Sequence, residues 1–184
     1  AILSTQRQDG WLGPQPDSPY GYSDDPWPVS IVAKALIQYQ EATGDTRVLP
    51  ALLRFFSCLQ QQLAQRPLQS WASMRCSELL LSLDWAYDRT QEGWLLKLAA
   101  TIQAQGYDWI KHFANFTWME RQQQWTHEAH VVNTAMAIKY PGLCARLSQD
   151  IQPRAAISHV IEILERFHGY CQLILSLIHI PSPR

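Results

Sequence analysis

The chain has 184 residues, 47% of them apolar and 11% aromatic, with 15 Lys+Arg against 16 Asp+Glu and a formal net charge of -1. That balance argues against a basic nucleic-acid surface, and the apolar fraction argues against a long disordered tail. Charged residues make up only 17% while eight Trp are many for this length, so the chain reads as one globular domain or a piece of a larger one.

The chain opens Ala1-Ile-Leu-Ser-Thr-Gln6 with no initiator Met and no basic stretch leading into an apolar one. No secretion signal is readable there; a start inside an open reading frame is expected, and localisation stays unknown. Residues 10–28 hold five Pro and three Gly, which excludes a long regular element and predicts a loop.

Beyond Pro28, Val29, Val32, Leu36 and Tyr39 recur at helical spacing, and Gly44 stops the helix. A second helix carries Leu49, Leu52, Phe56, Leu59 and Leu63, with Asp45 or Thr46 as its cap and Pro50 in its opening turn. A third begins after Ser70 and runs without a break through Trp71, Met74, Leu79, Leu80, Leu83 and Tyr87. A fourth covers about 90–105, with Leu95, Leu98, Ala99 and Ile102 as its seam and Gly106 as its stop.

Residues 107–125 are aromatic and irregular, with room for one short helical piece. A fifth helix is predicted over 127–139, capped by Thr126, with Val131, Val132, Ala135 and Met136 as its apolar side. Pro141-Gly142 should break it, and Leu143 to Leu147 gives a short continuation. The last helix spans 153–168, with Ile157, Val160, Ile161, Leu164 and Phe167 inward and Gly169 as its stop.

No strand pattern is present, so the fold class is all-α, six or seven helices. The longest nearly unbroken apolar run, 173–180, is too short to cross a bilayer. The turns near 45, 92 and 150 suggest a helical-hairpin repeat of about fifty residues, with Tyr39 laid on Tyr87. Hairpins of this kind must stack on neighbours, either as an open solenoid or as a closed double-layered barrel; the Trp-rich loops favour the barrel.

His127, His130 and Asn133 stand three apart and can share a helix face opposite Val132 and Met136. Such a face suits the binding of hydroxyls; the plain alternative is a hydrogen-bonded cap cluster. A metal on the two His alone lacks the further ligands it needs. Arg75 and Glu78 are either a helix-surface pair or a buried pair beside a cavity, which Asp84 and Trp85 could extend. Trp rings stack on sugar C–H faces or simply plug a core. A two-carboxylate hydrolase or lyase would draw on Asp9, Asp17, Asp24, Asp25, Glu78, Asp84 and Asp108, but their spacing selects no pair. Cys58, Cys76, Cys144 and Cys171 lack the close spacing of a metal knuckle or redox pair and read mostly as buried thiols.

Several stretches together resemble the catalytic domain of glycoside hydrolase family 127, the beta-L-arabinofuranosidase-like proteins. They are Asp9-Gly-Trp-Leu-Gly-Pro14, the run from Trp27 to Asp45, Trp71-Ala-Ser-Met-Arg75 with Glu78, Trp94-Leu-Leu, Gln105-Gly-Tyr-Asp-Trp109, His130-Val-Val-Asn-Thr-Ala-Met-Ala-Ile-Lys139 and Arg166-Phe-His-Gly169.

The resemblance covers roughly 9–169. It implies an incomplete (α/α)6 helical-hairpin barrel with about three of six hairpins over 1–171, its missing C-terminal half serving as partner. It also implies an O-glycosyl hydrolase acting on a terminal L-arabinofuranose-like sugar.

His130, Asn133 and His168 resemble pocket contacts of that family, with His127, Arg75 and Glu78 beside them as candidates. The family's zinc, held by one Glu and Cys thiolates including the nucleophile, is expected in the full-length parent. Its Glu-x-Cys segment and adjacent Cys pair have no counterpart in these residues, so no catalytic residue is assigned and the 184 residues alone are expected to be inactive. Residues 172–184, ending Pro-Ser-Pro-Arg, resemble translated cloning or adaptor sequence. The alternative to an enzyme is a non-catalytic helical-repeat module that binds protein or carbohydrate.

Overall fold

A computed structural model describes residues 2–13, 25–116, 124–148 and 153–168. The described elements are helices and turns, with no strand among them, so the fold is all-α. Asp17, Asp24, Trp118, Gly169, Cys171 and residues 172–184 lie outside the described residues, as do the middle of the 10–28 stretch and the His168 side chain. Contacts divide the chain into two compact units, Ala1–Gly106 and Tyr107–Arg184.

In the first unit, α1 (Pro26–Thr43) starts where Asp25 accepts a hydrogen bond from the Trp27 N–H at 2.9 Å. Pro26 and Pro28 sit in its first turn, where no intrahelical donor is lost. Its buried residues are Val29, Ser30, Ala33 and Leu36, while Tyr39, expected inward, is exposed. Helix α2 (Val48–Leu63) buries Val48, Ala51, Leu52, Phe55, Phe56, Cys58, Leu59 and Leu63. Asp45 does not cap it as expected. Its carboxylate accepts from the Arg47 N–H at 3.0 Å and is gripped by the Arg47 guanidinium, so it closes the turn ahead of the helix and leaves the helix start without a side-chain cap.

The expected third helix is two helices, α3 (Ser70–Met74) and α4 (Cys76–Thr90), interrupted at Arg75, whose φ of -106° and ψ of 21° are not helical. Helix α5 (Gly93–Gln105) starts later than expected, because Thr90 still belongs to α4. Gly106 stops α5, but not through a left-handed cap: its backbone is extended, and a Cβ there would lie 2.5 Å from the Cys76 Sγ. The glycine is needed for close approach.

One turn occurs twice. The Thr43 hydroxyl donates to the Tyr39 carbonyl at 2.7 Å, and Thr90 does the same to Ala86 at 3.0 Å. Gly44 (φ 72°) and Gln91 (φ 56°) are both left-handed, donating to Gln40 and Tyr87. Asp45 and Glu92 then each donate their N–H to the Thr hydroxyl at 3.3 Å. The repeat is therefore real within this unit, but Tyr87 corresponds to Gln40; laying it on Tyr39 is one residue out of register.

Ahead of α1, Trp11 is fully buried against Phe55, with ring centroids 5.4 Å apart. Asp9 accepts from the Trp11 N–H at 3.0 Å and from Arg7, and Gln6 donates to the Gly10 and Ala51 carbonyls, tying this segment to α2.

In the second unit, α6 (Trp109–Ala114) is the short helical piece allowed for in 107–125, started by Asp108, which accepts from the Lys111 N–H at 3.0 Å. Helix α7 (Val131–Ala137) is shorter than the predicted 127–139. Thr126 accepts from the Ala129 N–H at 3.2 Å, and Asn133 Nδ2 donates to the His127 carbonyl at 2.8 Å. These side-chain bonds hold 127–130 as a turn in competition with helix.

Helix α8 (Tyr140–Ser148) contains Pro141 and Gly142 in its first turn, so the pair does not break the path as expected. Pro is tolerated there for the same reason as in α1. Helix α9 (Pro153–His168) has the predicted bounds; Val160 and Leu164 are buried, and Ile161, expected inward, is exposed.

Candidate functional site

Two clusters carry the polar chemistry, one in each unit. In the first, Trp27, Lys34 and Glu41 on α1 recur every seven residues, as do Trp71, Glu78 and Trp85 on α3 and α4. The Arg75 guanidinium lies 4.0 Å from the Trp27 ring centroid and 4.4 Å from that of Trp71. Further along, Lys34 Nζ meets Glu78 Oε2 at 3.3 Å, and Trp85 Nε1 donates to Glu41 at 2.9 Å, with Arg89 on the same carboxylate. Partners ascend together along both helices, so α1 and α4 run parallel.

Glu78 is 0% exposed and Lys34 40%. Arg75 and Glu78 are thus not a surface pair: a buried carboxylate is reached by a cation from the solvent side, and Arg75 is stacked on two indoles. Burial pushes the Arg75 guanidinium down from its ordinary value, and the Glu78 charge opposes this. Such a guanidinium stays charged at any working pH.

In the second unit, the structure brings His127, His130 and Asn133 together, but not on one helical face. His127 is on the turn, His130 is the N-cap of α7, and only Asn133 is within the helix, fully buried and bonded to the His127 carbonyl. Val131, Val132, Ala135 and Met136, expected as the inward side, are half-buried. Trp125, 41% exposed, stands edge-on to His127 at 4.8 Å and to His130 at 6.2 Å between centroids. His168 ends α9, and its side chain lies outside the described residues.

Beside this turn is a set that the sequence reading passed over. The Tyr107 hydroxyl is 3.0 Å from His112 Nδ1. Burial pushes His112 down from its ordinary value, while Glu128 raises it; burial, with Glu128 and Asp108, pushes Tyr107 up. The only sequence signal was a Tyr and a His five apart. For the first unit, the signal missed was the seven-residue recurrence of Trp27, Lys34 and Glu41 against Trp71, Glu78 and Trp85.

An open recess of about 270 Å³ in the second unit is lined by Ile110, Phe113, Ala114, Ala156, His159 and Val160. Its walls are apolar apart from His159, so it offers little to a hydroxylated ligand.

Several acidic candidates are engaged locally. Asp9 and Asp25 accept backbone N–H groups at turns, Asp108 caps α6, and Glu78 pairs with Lys34. No three His, Cys, Asp or Glu side chains among the described residues come together as a metal site. Cys58, Cys76 and Cys144 are buried and free of disulfides, and burial pushes the Cys144 thiol up to about 11. A zinc-bound thiolate needs the opposite environment, so these residues do not fit the zinc of the resembled family.

No helix among the described residues is long and apolar enough to cross a membrane. The chain matches no protein-family model, no curated protein and no solved structure.

Proposed function

We propose that the chain is part of a glycoside hydrolase acting on a terminal L-arabinofuranose-like sugar, contributing about three hairpins of an incomplete (α/α)6 barrel. The observation that carries this reading is the rim at the start of α7. A half-exposed indole stands edge-on to two imidazoles above a buried amide. A sugar presents a flat C–H face to such a ring and hydroxyls to such nitrogens.

In this reading Trp125 stacks on the sugar, His127 and His130 bond its hydroxyls, and Asn133 holds the turn. Arg75 and Glu78 serve as a buried scaffold, since their contacts are already filled by indoles and Lys34. The parallel packing of α1 and α4 and the repeated Thr-x-acid turn support a hairpin wall.

Titration of the 184-residue chain with a methyl L-arabinofuranoside, followed by tryptophan fluorescence, tests this. A saturable change is expected, with Trp125→Ala or His130→Ala weakening it at least tenfold, about 1.4 kcal/mol. No response at millimolar sugar overturns the reading. Release of arabinose by this chain overturns the view that its catalytic set is incomplete.

A second reading, a non-catalytic helical-repeat module, is favoured by the half-buried Val131, Val132, Ala135 and Met136. Binding of sugar that survives Trp125→Ala would move the balance toward it.

A further inference from the structure

We propose that His112 is a positioning residue for the 127–130 turn, with Tyr107 fixing its ring and Glu128 carrying its charge state to the turn. The ring is held on several sides. Its centroid lies 4.9 Å from Trp109, 5.2 Å from Phe113, 5.7 Å from Tyr107 and 5.8 Å from Phe116, all edge-on. With the imidazole so confined, a change in its charge cannot be absorbed by swinging the ring away.

When His112 is neutral, Nδ1 accepts the Tyr107 O–H and the imidazole proton is on Nε2. Protonation puts a hydrogen on Nδ1. The bond then inverts: Nδ1–H donates to the phenol oxygen, and the phenol hydrogen turns to another acceptor. The new positive charge faces Glu128, whose charge acts on both Tyr107 and His112.

Glu128 lies between His127 and His130, so attraction there is transmitted to both imidazoles. The other titratable or charged groups around His112 are Asp108 and Lys111 on its own element, Tyr140 and Cys144 on α8, and His159 with the exposed Glu162, Glu165 and Arg166 on α9. Asp108 is engaged in capping and Cys144 stays protonated at neutral pH. Glu128 is thereby the acidic group that ties this histidine to the turn.

The value of such positioning for sugar binding rests on the proposed function; the coupling itself does not. The test is NMR of the full chain between about pH 5 and 8, the range in which histidines titrate. It follows the imidazole signals and the backbone amides of Glu128, Ala129 and His130.

In the wild-type chain the His112 midpoint should lie below 6.5, and the turn amides should show a component with that same midpoint. Glu128→Gln should lower the midpoint and remove this component. Tyr107→Phe should raise the midpoint, because the bond that favours the neutral ring is lost. His112→Gln should leave only the transitions of His127 and His130 in the turn.

A His112 midpoint unmoved by Glu128→Gln, or turn amides that follow only their own histidines, overturns the proposal. Both Glu128→Gln and Tyr107→Phe nearly preserve shape, so either gives a reading if the other fails to fold. An arabinoside that moves no signal would sink the sugar reading while leaving these midpoints to judge the coupling.

Discussion

The two units use aromatic residues in different ways. In Ala1–Gly106, Trp27 and Trp71 flank a cation that never titrates, above helices whose inward residues are buried nearly without exception. In Tyr107–Arg184, Trp109 and Trp125 lie against histidines, and the apolar side chains of α7 are only half-buried. A charge set by Arg, Lys and Glu gives a fixed frame, whereas one set by imidazoles responds to conditions. The first unit therefore has the character of scaffold and the second that of a responsive surface.

The largest test of that contrast is truncation of apolar side chains. Phe56→Ala in the first unit should cost about 3–5 kcal/mol in urea unfolding, as expected for a fully buried ring. Val132→Ala should cost under about 1 kcal/mol, because that residue is half-buried. Equal losses would erase the difference in packing.

Next in size is the ladder between α1 and α4. Lys34→Ala leaves Glu78 buried with less compensation and should cost about 3 kcal/mol, the low end for breaking a buried pair. Glu78→Gln should cost less, since Lys34 can return to water. The reverse ranking would mean that the pair is not set by desolvation of the carboxylate.

Acid titration separates the units without mutation. His112 has a folded value below its ordinary 6.5, so the folded state prefers it neutral. Its contribution to stability is complete above 6.5 and is lost as pH falls through the folded value. Asp45 is held at about 2 against an ordinary 3.8 by Arg47. The stability from that pair is present above 3.8 and is lost as pH falls toward 2. Unfolding curves should therefore show the His112 loss first, and His112→Gln should remove that limb alone.

The smallest effects probe the repeated turn. Gly44→Gln should cost about 1 kcal/mol, and Gln91→Gly should gain up to about that much, because both positions are left-handed. If Gln91→Gly destabilises instead, its side-chain bonds to the Tyr87 and Asp88 carbonyls outweigh the backbone strain.

Much of the helical order was legible because it is local. Pro153 and the period of Val160 and Leu164 mark α9, and Gly44 marks the end of α1. The break at Arg75 was not, since one of its clamps, Trp27, comes from a different helix. Gly106 was identified as a stop, but its reason, the Cys76 sulfur, is a distant neighbour in sequence. At the candidate site the residue types were readable, yet the register was not. Spacing by threes predicts a shared helix face, and only the bonds from Thr126 and Asn133 reveal that His127 and His130 precede the helix.

The bare Cα of Gly106 passes over the Cys76 sulfur at the point where the chain leaves one unit for the next. An oxygen atom added to that sulfur would find the adjoining space already filled by main chain. Oxidative damage at Cys76 would therefore show itself as a displaced crossing point, and thiol repair would return the chain to its path.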